Sequence, residues 1–123
     1  GKLYAVGGLN YDDGHNPLSS VELYNPALDT WEAVAPMGTA RFAHAVAVLD
    51  GKLYAVGGYD GGRLSSVERY DPALDTWEAV APMGTARFAH AVAVLDGKLY
   101  AVGGSDNDGP LSSVERYESV LES

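Results

Sequence analysis

Apolar and polar residues alternate along this chain with a period of two, in short runs punctuated by Gly, Pro, Asn and Asp. Phe42–Leu49 is the clearest run. On an extended backbone Phe42, His44, Val46 and Val48 face one way, and Ala43, Ala45, Ala47 and Leu49 the other. Asp50-Gly51 follows, then the apolar run Lys52–Val56. Asp-Gly between two such runs predicts a two-residue hairpin, because a type I′ turn needs positive φ at both central positions. Gly57-Gly58 and a short polar loop lead to a strand at Leu64–Tyr70. Asp71-Pro72-Ala73-Leu74-Asp75 reads as a turn, since Pro fixes φ and Asp bonds nearby backbone. Thr76–Ala81 is the next strand, closed by Pro82. No segment has helical period, so the chain is predicted to be all-β.

This pattern recurs almost letter for letter. Pro26 to Gly58 and Pro72 to Gly104 are the same 33 residues, 46 positions apart. GKLYAVGG occurs at Gly1–Gly8, Gly51–Gly58 and Gly97–Gly104, and LSSVE at Leu18–Glu22, Leu64–Glu68 and Leu111–Glu115. A period of this size marks units that cannot bury their own faces and must stack on neighbours. Four short antiparallel strands per period read as one propeller blade, and the Ala-rich strand suits the crowded place nearest the axis. The repeats run over about 1–50, 51–96 and 97–123, the third incomplete, within one region of 123 residues. The strand count is ten, or two and a half blades, beginning at the second strand of one blade and ending after the third strand of another. Copying this close points to a consensus or symmetrised design, or to a very recent duplication; design is the reading we favour.

Composition narrows the function. The formal charge of −9 argues against nucleic acid, which demands clustered Lys and Arg, and against anionic membranes. With no cysteine, disulfides, thiol nucleophiles and Cys-ligated metals are excluded. No apolar run approaches the roughly 20 residues of a membrane span, and no signal-peptide pattern is expected in a chain that starts on a strand motif. The cell compartment is therefore unspecified, and cytoplasmic if the protein is made as a soluble recombinant.

The double glycine, a later Tyr, and a Trp seven positions after it recur as Gly7-Gly8, Tyr24 and Trp31, then Gly57-Gly58, Tyr70 and Trp77, then Gly103-Gly104 and Tyr117. With LYAVGG, SVERYDP and APM in register, the chain resembles the kelch repeat over essentially its whole length, and most resembles the kelch domains of BTB-kelch ubiquitin-ligase adaptors. The resemblance implies a β-propeller, commonly six-bladed, closed by pairing strands from the two chain ends, and a non-enzymatic protein- or peptide-binding module. It implies partner contacts on one face, from the loops that begin at Leu9, Tyr59 and Ser105 and from the crossover residues Phe42, Ala43, Phe88 and Ala89. Such adaptors grip acidic peptides with Arg and Ser at several of these positions. Here they are mostly apolar or Ala, in an acidic chain, which argues against that ligand. BTB and BACK parts are not within these residues, so ligase recruitment is not expected of them. Galactose oxidase is an enzyme built on this kind of propeller, but its copper chemistry needs a Cys-crosslinked Tyr, and this chain has no Cys.

Each candidate site has a functional and a structural reading. The double glycines recur in every repeat, as a bulge or positive-φ strand end would. His44 and His90 occupy equivalent inner-strand positions. In a closed ring they would circle the channel and could bind a metal or anion, or each could bond a neighbouring blade's backbone. Arg41 and Arg87 could read a carboxylate, but their repetition favours a structural tie between blades. Trp31 and Trp77 read as blade-to-blade core. The repeats truly differ only in the loops after the double glycines, where function concentrates on a rigid scaffold. Leu9, Tyr11, Asp12, Asp13 and His15 mark the first, Tyr59, Asp60 and Arg63 the second, Ser105, Asp106 and Asp108 the third. Asp12, Asp13 and His15 could chelate a divalent ion, and Asp106 to Gly109 faintly echo a calcium loop without its bidentate Glu. Both stretches also read as plain turn chemistry, and no cofactor is predicted.

Two functions follow. One is a scaffold that completes its ring with other chains or missing blades, as a homo-oligomer or with complementary strands. Two copies would supply twenty strands, or five blades, whereas six blades need twenty-four. The other is a peptide- or protein-binding module that uses the variable loops.

Overall fold

The computed structural model describes residues 2–10 and 16–118. It is all-β among these residues. Three antiparallel sheets follow one another along the chain. The first blade is β1 (Leu3–Asn10), β2 (Asn16–Asn25) and β3 (Thr30–Val34), in that order. The second is β4 (Ala45–Leu49), β5 (Lys52–Tyr59), β6 (Arg63–Asp71) and β7 (Thr76–Val80). The third comprises β8 (Ala91–Leu95), β9 (Lys98–Val102) and β12 (Val114–Glu118). Between β9 and β12 the loop folds into a small pair, β10 (Ser105–Asp106) and β11 (Gly109–Pro110), which the sequence pattern does not announce. The architecture is a partial β-propeller with its complete blade in the middle.

The hairpin between inner strands forms as Asp-Gly predicts. Asp50 and Gly51 have φ of 52° and 75°, and Asp96 and Gly97 repeat those values. The Pro turns also form. Asn25 Oδ1 accepts from the Ala27 amide at 3.0 Å, and Asp71 Oδ1 from the Ala73 amide at 3.0 Å. The inner strand is shorter than the alternation of Phe42–Leu49 suggests. Ala43 takes a left-handed φ of 52°, which breaks the pleat and starts β4 only at Ala45. Phe42, upstream of the kink, forms an isolated bridge to Tyr59 instead. The Ala43 carbonyl then accepts from the Ala89 amide of the next blade at 2.7 Å, so the two kinks are tied together near the axis.

The core lies between blades. Val21, Met37 and Ala55 are buried at the first interface with Tyr4, Val6, Val34 and Trp77 packed against them. Leu49, Tyr54, Val56, Val67 and Leu99 fill the second. Ring contacts repeat across the two interfaces, edge-to-face for Tyr4–Tyr70 (5.8 Å between centroids) and tilted for Tyr54–Tyr117 (5.6 Å).

Candidate functional site

The crossovers between blades are clasps built from the repeated residues. The segment after β3 returns to its own blade, where the amides of Met37 and Arg41 donate to the carbonyls of Ser19 and Leu18. It then reaches forward. Gly38 and Thr39 amides donate to the two oxygens of Glu68 at 2.6 and 3.0 Å. The Arg41 guanidinium, fully buried, donates to the Gly57 and Ser66 carbonyls, to Ser66 Oγ and to Glu68 Oε2 (2.7 Å). The second clasp is the same with other numbers. Gly84 and Thr85 amides and the Arg87 guanidinium meet on Glu115, and Arg87 also bonds the Gly103 and Ser113 carbonyls. Burial opposes the charge on Glu115, but those amides and Arg87 outweigh it and hold the carboxyl below its usual range. Both arginines are thus structural ties between blades.

The double glycines serve the same joint. Gly57 and Gly58 sit at positive φ (62° and 106°), at a register shift between β5 and β6. A Cβ on Gly57 would lie 2.6 Å from the Arg87 carbonyl, and one on Gly58 would lie 2.7 Å from the Phe42 carbonyl. That leaves backbone packing, with the Gly58 amide donating to Arg87 O at 2.9 Å.

The histidines sit beside these joints. His44 Nε2 lies 2.9 Å from the Val6 carbonyl, which accepts only if that nitrogen carries the proton. Burial lowers its pKa despite that bond. His90 approaches the Val56 carbonyl in the same way, but neither ring nitrogen completes a hydrogen bond. Burial first, then the Arg87 charge and His44, push His90 down to about 4. At neutral pH both rings are uncharged and packed at the blade joints. Among the described residues no group of His, Asp and Glu converges as a metal site would.

The variable-loop end is where candidate binding residues meet. Tyr59 lies between Phe42 and Phe88, with ring centroids 5.5 and 5.4 Å away in near edge-to-face arrangement. Backbone bridges hold this row. Phe42 and Tyr59 exchange amide-to-carbonyl bonds, and Phe88 and Ser105 do the same. All four residues are half-buried. Arg63 reaches across to Asp106 at 3.7 Å and links the second loop to the third. Asp60 and Asp106 also cap their own turns, accepting from the amides of Gly62 (3.3 Å) and Asp108 (2.8 Å). Asp106 is thereby committed to the turn and to Arg63. Leu9 stands apart in β1, opposite Pro17. Tyr11, Asp12, Asp13 and His15, including the chelating set suggested by the sequence, lie outside the described residues.

Sequence reasoning missed the acceptors of the clasp, Ser66, Glu68, Ser113 and Glu115. The recurring Ser and Glu of LSSVE were the signal. It also missed a stitch at the first interface, where Trp77 Nε1 donates to the Ala35 carbonyl at 2.8 Å and the Ala35 amide donates to Asp75 Oδ1 at 2.9 Å.

This repeating geometry has relatives. The family model described as the Kelch motif matches residues 1–38, 40–84 and 86–120. The chain belongs to the kelch-repeat family. Human Kelch-like protein 33 is 48% identical over 61 residues, which is 50% of this chain and 11% of that protein. Human Influenza virus NS1A-binding protein is 49% identical over 61 residues, 50% of this chain and 9% of that protein. Zebrafish (Danio rerio) Kelch-like ECH-associated protein 1A is 48% identical over 59 residues, covering 47% and 10%. The chain spans about a tenth of the length of these relatives. Among the described residues no helix is long and apolar enough to cross a membrane.

Proposed function

We propose that this chain is a non-enzymatic kelch scaffold. Its loop end recognises a protein or peptide, and its open outer blades pack against further blades from the same polypeptide or another chain. One observation carries the recognition half. The row Phe42–Tyr59–Phe88, flanked by Arg63 and Asp106, joins the crossovers to the loops in which the repeats differ. The repeated polar residues Arg41, Glu68, Arg87 and Glu115 are consumed by the clasps, which leaves this half-exposed aromatic row as the place for a ligand. Rigid aromatic side chains at a loop end supply large contact area at little entropic cost. The row favours an extended segment with an apolar or aromatic side chain over the acidic peptides gripped by Arg-rich relatives. Two relatives are named for being "NS1A-binding" and "ECH-associated", which supports a protein partner without naming this chain's. The near-identity of the repeats supports a symmetrised scaffold as the origin.

The test is selection of displayed peptides on the folded 123-residue chain, followed by Tyr59→Ala and by replacing residues 105–110 with the Tyr59–Arg63 sequence. Enriched peptides should lose affinity on both changes. Binding indifferent to both would remove the loop end as the site. Solution mass by light scattering at two concentrations tests the assembly half. A discrete oligomer supports completion by other copies, and a monomer leaves completion to blades on a longer or different chain.

A further inference from the structure

The loop end differs in charge from the blades beneath it. Within the blades Arg41 and Arg87 are matched by Glu68 and Glu115, and Arg69 by Glu78. Around the aromatic row the balance tips. The loops at residues 59–63 and 105–110 hold Asp60, Asp106 and Asp108 against one cation, Arg63, and the crossover residues Phe42, Ala43, Phe88 and Ala89 carry no charge. Asp60 and Asp108 are exposed. Asp106 Oδ1 accepts from the Asp108 amide, which fixes that carboxylate. Arg63, its side chain 40% exposed, stands 3.7 Å from Asp106, beyond hydrogen-bond reach.

We infer that the segment recognised at this end is basic: an apolar or aromatic anchor on the row Phe42–Tyr59–Phe88, flanked by Arg or Lys side chains that meet Asp60, Asp106 and Asp108. The inference deepens the recognition half of the proposed function and rests on it. Carboxylates and aromatic faces both attract a guanidinium, and here the two lie side by side. Asp60 and Asp106 are each tied to an amide of their own turn, so little order is lost when a cation arrives. Arg63 is the internal stand-in for that cation. Its contact with Asp106 is loose and exposed, so it yields the carboxylate to a guanidinium that can reach closer. An acidic segment would meet like charge at all three aspartates. The net charge of −9 also speeds the approach of a basic partner.

The probes are synthetic heptapeptides titrated into the full chain, read by the backbone amide resonances of Tyr59, Asp60 and Ser105. Gly-Arg-Arg-Phe-Arg-Arg-Gly should bind saturably and move these amides. With Ser in place of Arg it should bind about 5-fold more weakly or worse, and with Glu more weakly still. Gly in place of its Phe should weaken it about 10-fold, which separates a seated segment from a mere polycation. Asp60→Asn with Asp108→Asn removes two charges and keeps the Asp60 turn, because the amide oxygen still accepts from Gly62. This pair should weaken the Arg peptide about 3- to 10-fold. Arg63→Gln should tighten it about 2- to 5-fold by releasing Asp106. Glu32→Gln, an exposed carboxylate of the outer strand β3, removes charge away from the loop end and should change affinity by less than about 1.5-fold. Circular dichroism checks the fold of each variant.

No saturation by the Arg peptide, equal affinity for the Ser peptide, or preference for the Glu peptide would overturn the inference. So would weaker binding by Arg63→Gln, which would make that arginine the ligand's partner and the ligand acidic. A loss on Glu32→Gln as large as that of the paired Asn variant would reduce the attraction to diffuse charge and overturn it too. Selection of displayed peptides on the chain separates the two levels of failure. Enriched sequences that need Tyr59 but carry no excess of Arg and Lys sink the basic partner alone. A selection with no Tyr59-dependent sequence sinks the loop-end site beneath it.

Discussion

Removing Arg41 should cost more than removing Arg87, although the two residues stand in identical sequence. Both guanidinium groups are completely buried and make the same set of hydrogen bonds. Their carboxylate partners differ, because the Glu68 side chain is 8% exposed and that of Glu115 is 27% exposed. Arg41→Ala strands a buried carboxylate with two amide donors and no countercharge, a change worth about 3–5 kcal/mol. After Arg87→Ala, water reaches Glu115 and replaces part of the lost partner, so the cost falls to about 1–3 kcal/mol. Urea unfolding of both variants, followed by far-ultraviolet circular dichroism, measures the gap. Tryptophan fluorescence adds a local reading, since Trp31 and Trp77 both lie in the first two blades. Arg41→Met combined with Glu68→Gln should recover part of the loss, because the Gly38 and Thr39 amides keep an acceptor and no charge is left alone. An Arg87→Ala cost equal to or above that of Arg41→Ala would refute the reasoning, as would an Arg41→Ala cost below about 1 kcal/mol.

The backbone joints make a sharp contrast. Gly57→Ala drives a Cβ to 2.6 Å from the Arg87 carbonyl at positive φ, whereas Gly62 has open space around it. Thermal melts should show a loss of about 2–4 kcal/mol for Gly57→Ala and within about 0.5 kcal/mol for Gly62→Ala. Ala43→Gly should stabilise by about 0.5–1 kcal/mol, since relief of the left-handed φ of 52° outweighs the extra unfolded-chain entropy. Stability should also fall with acidification. His90 has its folded pKa lowered to about 4, so between the unfolded value near 6.5 and pH 4 the unfolded chain binds a proton that the folded chain does not. His44 is shifted in the same direction. Melting midpoints should drop across that window and drop less steeply for His90→Gln, in which the His44 contribution remains, and a flat profile in the wild-type chain would contradict the burial of these rings. The depressed carboxylates Glu115 and Asp75 add their losses from their ordinary values of 4.5 and 3.8 downward, so that of Glu115 overlaps the low end of the window.

What the sequence could and could not announce follows from the range of the interactions. Asp50-Gly51 and Asp71-Pro72 specify their own turns within a few residues, so those features were legible. The kink at Ala43 was not. Alternation predicts a continuous strand, whereas Ala43 takes a left-handed φ of 52° and its carbonyl accepts from Ala89 in another blade. The clasp joins residues 27 apart, Arg41 and Glu68, through a crossover whose direction depends on how the blades stack. Repetition marked Arg41 as structural without pointing to Glu68 as its partner. The aromatic row was half visible, because Phe42, Tyr59 and Phe88 stood out singly, and their stacking needed the bridges between crossover and loop.

Identical sequence in unequal surroundings also shows where this chain gains most by binding. Leu49 is 3% exposed and its repeat equivalent Leu95 is 60% exposed; Val56 is 2% exposed and Val102 43%. Intrinsic preference cannot explain the difference, because the flanking residues are the same. A neighbouring blade covers the first of each pair, and among the described residues none covers the second. Full burial of one such side chain contributes about 1.5–3 kcal/mol, so each uncovered blade face leaves several such contributions unrealised. The loop end has no comparable deficit, since its aromatic row is already packed upon itself. The two surfaces therefore suit different partners. A blade face favours a long-lived companion with matching strands, and the loop end favours a smaller ligand that exchanges without disturbing the blades. In a stacked-unit protein stability passes from neighbour to neighbour. Coverage of the third blade's outer face by a further blade should therefore raise the stability of the third blade first and leave the loop-end geometry of Phe42 and Tyr59 unchanged. Hydrogen exchange can read both: on such coverage protection should rise along β9 and β12 and stay level at Tyr59, and a rise at Tyr59 would refute the separation of the two surfaces.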